Sequence, residues 1–271
     1  MNLNSESLKK KLAGKMIGHR LHYYDQIGST NDEAFRLGEE GAPEGTVLIA
    51  ESQSSGKGRM QRVWYSPPGA NIYTSVILKP PVGTIQATQI PIAAGVAAAE
   101  TINEFCPGKA WIKWPNDVLI GGKKVCGILA QMKMSGQAVD FVVVGVGINV
   151  NLTREQFPPD IQEIATSLAI EAGGEISRPA LIIRLYENMA KWYRELTRNG
   201  FAAVRERWLN QSEMIGKTVS VMFQNETVSG KAVGLDEDGS LILMTANNQK
   251  MTVSAGDASI LKEVNTNAAG D

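Results

Sequence analysis

The stretch Gln53-Ser-Ser-Gly-Lys-Gly-Arg-Met-Gln-Arg-Val-Trp64, which runs on to Ser66-Pro-Pro-Gly-Ala-Asn-Ile-Tyr73, is a glycine-rich basic loop that follows an apolar strand. Gly56 and Gly58 let backbone N–H groups approach a ligand without a side chain in the way. Trp64 supplies a flat apolar wall, and positive charge comes from Lys57, Arg59 and Arg62. The loop is therefore predicted to bind an anion. Taken alone, the same string is equally typical of a solvated basic surface loop.

Composition limits the function. The chain has 271 residues, 43% of them hydrophobic, which is enough for one good core and a small second domain. Lys and Arg number 27 against 28 Asp and Glu, so a net charge of -1 gives no general attraction to nucleic acid or anionic membrane. The longest apolar run, residues 141–150, is too short to cross a bilayer, and the N-terminus lacks a signal peptide's features. These features predict a cytoplasmic protein.

The positions of cysteine and histidine argue against a disulfide framework, a thiolate metal site and a histidine-based nucleophilic site. Cys106 and Cys126 are too few and too ill-spaced for a disulfide framework or a thiolate metal cage. His19 and His22 both fall in the N-terminal segment, away from the basic loop. We therefore expect the chemistry to come from Lys, Arg, Asp and backbone N–H groups, with Mg²⁺.

Hydrophobic periodicity predicts the order of elements. A short helix over residues 4–14, capped by Ser5 or Ser7, precedes a strand over 22–27 and a helix over 32–37 that Ser29 or Thr30 caps. An Ala-rich helix over 87–105 and helices over 178–198 and 201–209 are predicted to pack on a sheet. Its strands are predicted at 46–50, 72–78, 111–114, 125–132 and 141–150.

From about Gly216 the pattern changes to short alternating strands, at 218–223, 227–235, 241–244 and 250–253, with turns that include Asn225. This pattern is typical of a small five-stranded barrel. We predict an N-terminal helix over 1–14, a catalytic α/β domain over 15–212 and a C-terminal β domain over 213–264. The tail over 265–271 is predicted to be disordered.

Four further motifs accompany the loop in a fixed order: Gly28-Ser-Thr-Asn31, Lys113-Trp-Pro-Asn-Asp117, Lys124-Val-Cys-Gly-Ile-Leu129 and Gly145-Val-Gly-Ile-Asn149. With the loop they resemble the biotin protein ligases, and the resemblance extends over nearly the whole chain. Lys57 stands where that family commonly has Arg, and Gln61 stands where it commonly has Gly. The resemblance implies the biotin/lipoate ligase fold, with a mixed sheet and an SH3-like C-terminal barrel.

The resemblance also implies roles for individual residues. Biotin contacts are expected from Ser29, Thr30, Asn31, Gln53, Lys57, Gly58, Arg59 and Lys124. Contacts to ATP or the adenylate are expected from Arg59, Arg62, Trp64, Asn116, Asp117, Lys124 and Asn149. Arg59 and Lys124 are expected to act in catalysis, and Asp117 is a hypothetical Mg²⁺ ligand.

Some of these residues also have ordinary structural interpretations. Gly28-Ser-Thr-Asn31 suits a plain helix cap, and Gly145-x-Gly147 suits either a nucleotide-binding turn or a buried strand. Strand alternation places Lys124 and Lys123 on opposite faces and Cys126 on the face of Lys124, as a buried apolar thiol. Residues 165–168 and Arg178 are expected to help close the adenylate pocket.

The function implied is ATP-dependent ligation of biotin to a lysine of a biotin carboxyl carrier protein through biotinyl-5′-AMP, by a homodimer. One alternative is a lipoate or octanoate ligase or transferase of the same superfamily, although its Arg-Arg-x-Ser-Gly-Gly-Gly loop is missing. Another is a transcriptional repressor, but the roughly 20 residues ahead of the catalytic fold are too few for three helices, so no specific DNA binding is expected. A third is an inactive biotin- or adenylate-binding module, which the full set of cations disfavours.

Overall fold

A computed structural model describes residues 3–81, 83–223 and 226–261. A seven-stranded mixed sheet carries most of the fold, and a five-stranded antiparallel sheet follows it in the chain. This arrangement confirms the predicted α/β class with a separate C-terminal β unit. No helix in the described ranges is long and apolar enough to cross a membrane.

The large sheet has the strand order β1-β2-β3-β7-β6-β5-β4. Its first pair, β1 and β2, is parallel, and every other neighbouring pair is antiparallel. The interior strands β2 and β3 are buried along their whole length, as expected for apolar, β-branched runs covered on both faces. The strands are β1 Arg20–Tyr24, β2 Thr46–Ala50, β3 Ile72–Leu78, β4 Ala110–Lys113, β5 Asp117–Ile120, β6 Lys123–Ser135 and β7 Ala138–Ile148.

Helices cover both faces of this sheet. The Ala-rich α4 packs on one face, between the sheet and the amphipathic α6, and its small side chains permit the close approach. On the opposite face α2 packs through Phe35, whose ring meets Phe141 edge-on at 5.2 Å. The helices are α1 Ser5–Leu12, α2 Thr30–Glu39, α3 Thr84–Thr88, α4 Ile90–Phe105, α5 Leu168–Ala172, α6 Arg178–Asn199 and α7 Ala202–Asn210.

The C-terminal sheet has the order β11-β10-β9-β8-β12 and is antiparallel throughout. Its strands are β8 Thr218–Phe223, β9 Glu226–Leu235, β10 Leu241–Met244, β11 Lys250–Val253 and β12 Asp257–Ile260. Closure of this sheet into an SH3-like barrel stays a prediction. The sheet is fastened to the large domain because Trp114 Nε1 donates a hydrogen bond to the Gly239 carbonyl over 3.1 Å.

Several sequence-based boundaries were wrong. The cap of α1 is Asn4, whose side chain accepts from Ser7 N, rather than either serine. The predicted 87–105 helix is two helices that meet at Gln89, and the strands β5 and β12 were not predicted. The glycine-led turn at residues 121–124, which the sequence predicts between the 111–114 and 125–132 strands, therefore joins β5 to β6. The predicted turn at Asn225 and the tail over 265–271 lie outside the described residues.

Candidate active site

A cavity of about 720 Å³ gathers residues from distant parts of the chain. Its floor is one face of β6 and β7, one wall is the basic loop after β2, and the C-terminal sheet lines the far end. All the residues predicted to contact biotin or the adenylate line it, namely Ser29, Thr30, Asn31, Gln53, Lys57, Gly58, Arg59, Arg62, Trp64, Asn116, Asp117, Lys124 and Asn149.

One end of the cavity is an uncharged polar cluster. Thr30 donates to Gln53 Oε1 through both its backbone N–H (2.8 Å) and its hydroxyl (3.1 Å). The Ser75 hydroxyl donates to Asn31 Oδ1 over 2.7 Å, and Asn31 Nδ2 donates to the Leu129 carbonyl over 3.1 Å. Buried amide and hydroxyl groups held this rigidly can offer both donors and acceptors to a neutral polar group.

Ser29 is the N-cap of α2, yet its side chain makes no capping hydrogen bond. The predicted capping role is therefore wrong for the Ser29 hydroxyl, although the backbone position is right. Thr30 does not cap either, because it is the first residue of the helix. The Ser29 side chain lines the cavity instead, in a residue that is only 4% exposed.

The basic loop is a narrow hairpin that presents its cations to the cavity. Gly58 N donates to the Arg62 carbonyl over 2.7 Å, and Trp64 N donates to the Gly56 carbonyl over 2.9 Å. At the tip, Met60 and Gln61 have φ angles of +53° and +60°, a region that favours glycine. Gln61 thus adopts a glycine-like conformation at the position where the family that the loop resembles commonly has glycine.

The C-terminal sheet contacts this loop directly. Arg59 Nη1 donates to the Gly256 carbonyl over 3.1 Å, and an ion pair of 2.7 Å joins Arg62 to Asp257. Lys113 lies 3.6 Å from the same carboxylate. Burial alone would raise the pKa of Asp257, but the hydrogen bond from Arg62 and the neighbouring lysine charges outweigh it and hold that pKa below its ordinary value.

The turn between β4 and β5 brings an amide and a carboxylate to the cavity. Asn116 Nδ2 donates to the Ile128 carbonyl over 2.7 Å, and its Oδ1 accepts from Arg59 over 3.4 Å. Lys124 Nζ lies 2.7 Å from Asp117 Oδ1. That oxygen is buried and receives no well-directed hydrogen bond in the described part of the chain, so the ammonium charge is what compensates it.

The strand register separates the two adjacent lysines. Lys124 lines the cavity and lies 5.2 Å from the centroid of the Trp64 ring, whereas Lys123 pairs with Glu163 at 3.8 Å. A bulge opposite Val118 and Leu119 shifts the alternation of β6, so the Lys124 side chain reaches the face of Gly127. The prediction that Cys126 shares this face is therefore wrong: its thiol lies in the core, where burial raises its pKa.

Of the two interpretations left open for Gly145-x-Gly147, the structure confirms the strand and not the nucleotide-binding turn. Both residues lie inside β7. The space that a Cβ would fill at Gly145 is taken by the Asn31 amide, and at Gly147 by the Trp64 indole. The absence of side chains here lets those two groups lie on the sheet.

The segment over 165–168 closes the wall beside Lys124. The backbone of Thr166 donates to the Lys124 carbonyl over 2.9 Å, and Asn149 Nδ2 donates to the Thr166 carbonyl over 3.1 Å. Ala165 is the member of this segment that lines the cavity. Asn149 thus lines the cavity and also holds this wall in place.

Arg178 does not line the cavity, so the prediction that it closes the adenylate pocket is wrong. Its guanidinium is fully buried and lies 2.8 Å from Glu51 Oε2 and 3.2 Å from the Asn71 carbonyl. Tyr23 also donates to Glu51 over 2.8 Å. Arg178 therefore joins the start of α6 to the end of β2 as part of the core.

The sequence did not identify Ser75, which supports Asn31, or Asp257, which lines the cavity. Ser75 could have been noticed, because it and Thr74 are small polar residues in a strand of otherwise large apolar and aromatic residues. Asp257 had no such signal, because only the packing of the C-terminal sheet brings it to the basic loop.

The sequence matches families and curated proteins whose names include biotin ligation. Residues 23–149 match the Biotin/lipoate A/B protein ligase family, and residues 214–261 match the Biotin protein ligase C terminal domain. The chain is 37% identical over 253 residues to the Bifunctional ligase/repressor BirA of Bacillus subtilis, covering 93% of this chain and 78% of that protein. It is 34% identical over 266 residues to the Biotin--[acetyl-CoA-carboxylase] ligase of Mycobacterium tuberculosis, covering 94% of each.

A solved structure shows the same architecture. The biotin protein ligase from Aquifex aeolicus in complex with biotin and ATP superimposes with a TM-score of 0.77 at 27% identity, covering 90% of this chain and 99% of that one. The sequence matches, the shared fold and the polar and cationic ends of one cavity point to a single conclusion: the chain belongs to the biotin protein ligase family.

Proposed function

We propose that this chain ligates biotin to a lysine of a biotin carboxyl carrier protein through biotinyl-5′-AMP, with ATP converted to AMP and pyrophosphate. The observation that carries the proposal is one cavity with a neutral amide and hydroxyl cluster at Asn31 and a cationic cluster at Lys124 and Arg59. The first suits the ureido head of biotin, and the second suits its carboxylate together with the phosphates. Relatives at 33–34% identity carry the name of this ligase.

In the first step a carboxylate oxygen of biotin attacks the α-phosphorus of ATP. The bond from that phosphorus to the bridging oxygen breaks, and pyrophosphate leaves with the electron pair. Because both reactants are anions, their mutual repulsion is a large part of the barrier. The Lys124 ammonium and the Arg59 guanidinium lower it by lying where the two charges meet.

Asp117 fits a role as one Mg²⁺ ligand. Its Oδ1 is buried with the Lys124 ammonium 2.7 Å away, and it would be available to the ion once Lys124 turns to the substrate anions. Mg²⁺ is usually held by one or two carboxylates, with phosphates and water completing the shell. When bound, the ion neutralises charge on the triphosphate.

In the second step the uncharged amine of the carrier lysine attacks the acyl carbon of the mixed anhydride. The bond to the AMP oxygen breaks, AMP leaves, and the amine loses a proton. This chain supplies no covalent nucleophile in our proposal, in keeping with the raised pKa of the Cys126 thiol. The basic loop covers the adenylate and limits its hydrolysis.

The proposal includes a homodimer, which rests on the family resemblance, and a cytoplasmic location, which the two buried free cysteines support. It also includes a closed SH3-like C-terminal barrel, supported by the five-stranded antiparallel sheet. Specific DNA binding is not part of the proposed function, because the net charge is -1.

The test is a biotin-dependent exchange of labelled pyrophosphate into ATP, followed by transfer of biotin to a carrier domain. Biotin should support exchange, and lipoate and octanoate should not. Exchange with lipoate or octanoate but not with biotin would establish the alternative ligase instead.

A further inference from the structure

Ser66 lies just after the basic loop and joins its two ends. Gln53 begins the loop, and its backbone N–H donates to the Ser66 carbonyl over 3.3 Å. The Gln53 side chain makes a second link, because its Nε2 donates to Ser66 Oγ over 3.0 Å. The Ser66 hydroxyl in turn donates to the Trp64 carbonyl over 2.8 Å. Ser66 is only 8% exposed, so its hydroxyl is largely shielded from competing water.

The direction of each hydrogen bond in this chain of groups is fixed. The Thr30 backbone N–H lies 2.8 Å from the Gln53 amide, and since an N–H cannot accept, the atom that it meets must be Oε1. Nε2 therefore faces Ser66, whose own proton is committed because the Trp64 carbonyl can only accept. The amide is held at both of its ends. Gln53 lines the cavity, so its second Nε2–H is the group that it can offer to a substrate.

The glycine at position 56 makes room for these hydrogen bonds. A Cβ at this position would lie 2.4 Å from the Trp64 carbonyl oxygen, 2.6 Å from Ser66 Oγ and 3.1 Å from Gln53 Nε2. Real Cβ atoms essentially never approach another heavy atom closer than 3.0 Å. The three polar groups can therefore converge here only because residue 56 has no side chain.

Resting on the biotin ligase function proposed above, we propose that Ser66 is a positioning residue for biotin binding. Ser66 is not one of the residues that line the cavity, whereas Gln53 is. The Ser66 hydroxyl holds the Gln53 amide in one orientation, with the Trp64 carbonyl as its own anchor. That orientation offers an N–H to an acceptor on the neutral head of the substrate. Without the hydroxyl the amide loses its second point of attachment and can turn away.

The test is biotin-dependent pyrophosphate exchange by the full-length Ser66→Ala variant. Its KM for biotin should rise by about 10-fold, because a buried donor left without its partner weakens the contact that it supports. Its kcat should change by less than about 3-fold, since an interaction that binds substrate and transition state equally affects KM alone. Ser66→Cys keeps most of the side-chain volume but forms only weak hydrogen bonds, so it should show the same rise in KM.

Ser54→Ala is the matched control. This serine belongs to the same loop, and its hydroxyl lies 3.5 Å from the Ile27 carbonyl rather than beside Gln53 Nε2. Its removal should leave the KM for biotin unchanged.

A double-mutant cycle separates positioning from packing. Gln53→Ala removes the amide through which Ser66 acts, so adding Ser66→Ala to it should raise the KM by less than about 2-fold further. If the KM ratios of the two substitutions multiply, Ser66 acts independently of Gln53 and the proposal is overturned. An unchanged KM in Ser66→Ala, a loss confined to kcat, or a wild-type KM in Ser66→Cys would also overturn it.

If Ser66→Ala does not fold, the same cycle with Ser66→Cys decides. Failure of the proposed function would look different, since the wild-type protein would then not exchange with biotin at all.

Discussion

Arg62 of the basic loop lies 2.7 Å from the carboxylate of Asp257, the first residue of the last strand of the C-terminal sheet. The basic loop is thus held by a second structural unit, which lines the same cavity. Arg59 strengthens the connection through its hydrogen bond to the Gly256 carbonyl.

Asp257→Ala should loosen the basic loop with little effect on global stability. The Arg62 side chain is 66% exposed, and such ion pairs contribute about 1 kcal/mol or less. Trypsin should cleave after Arg59 or Arg62 several-fold faster in the variant, and biotin with ATP should suppress the difference. Glu163→Ala, which removes the carboxylate partner of Lys123 and Arg154, is the control. Equal cleavage of wild type and Asp257→Ala would show that the C-terminal sheet does not order the loop.

Lys124→Ala should slow adenylate formation much more than it weakens biotin binding, because its charge acts where the two anions meet. Loss of a charge-assisted contact costs about 1.5–3 kcal/mol, or roughly 10- to 150-fold in rate. Single-turnover formation of biotinyl-AMP and calorimetric biotin binding separate the two effects. Lys123→Ala should leave both nearly unchanged, and the reverse pattern would contradict the assignment of Lys124.

Arg178→Ala should destabilise the fold by about 3–5 kcal/mol, because it leaves the Glu51 carboxylate without its buried partner. Arg184→Ala, in the same helix, removes an exposed pair with Glu104 and should cost about 1 kcal/mol or less. Urea denaturation measures both. A large change in the KM for ATP without loss of stability in Arg178→Ala would instead restore Arg178 to the adenylate site.

The Arg178–Glu51 pair also predicts an acid dependence of stability. Burial alone would raise the pKa of Glu51, but the hydrogen bonds from Arg178 and Tyr23 outweigh burial and lower that pKa. The stabilisation is therefore fully present above the ordinary glutamate pKa of about 4.3 and is lost as the pH falls through the lowered value. The free energy of unfolding of Arg178→Ala should fall less steeply than that of wild type in this acid range.

No sequence-specific operator binding is expected, even though the related Bacillus protein is named a ligase/repressor. The net charge is -1, and the basic cluster in α1 comprises three residues, Lys9–Lys11. Useful nonspecific affinity generally requires on the order of six or more phosphate contacts. A mobility-shift assay with biotin and ATP on the upstream regions of biotin-synthesis genes measures this. A specific complex at submicromolar protein would contradict the prediction.

The sequence alone determined the fold class, and every residue that it predicted to contact biotin or the adenylate lines the cavity. Buried strands such as Thr46–Ala50 and Ile72–Leu78 have the boundaries that their apolar, β-branched runs predict, because hydrophobic patterning is a local property of the chain. The motifs around Asn31, Arg59, Asn116 and Lys124 mark positions that line one cavity, since each contributes its polar side chain at the end of an element or within a loop.

The tertiary structure decided what depends on distant partners. Arg178 looks the same in sequence whether it faces a nucleotide or a buried Glu51, and Asp257 becomes part of the cavity only because the C-terminal sheet packs against the basic loop. The sequence placed Gly145 and Gly147 in a predicted strand but left a nucleotide-binding turn open, because a glycine shows only that a side chain is absent. What fills the space, here Asn31 and Trp64, is set by packing between segments that lie far apart in the chain.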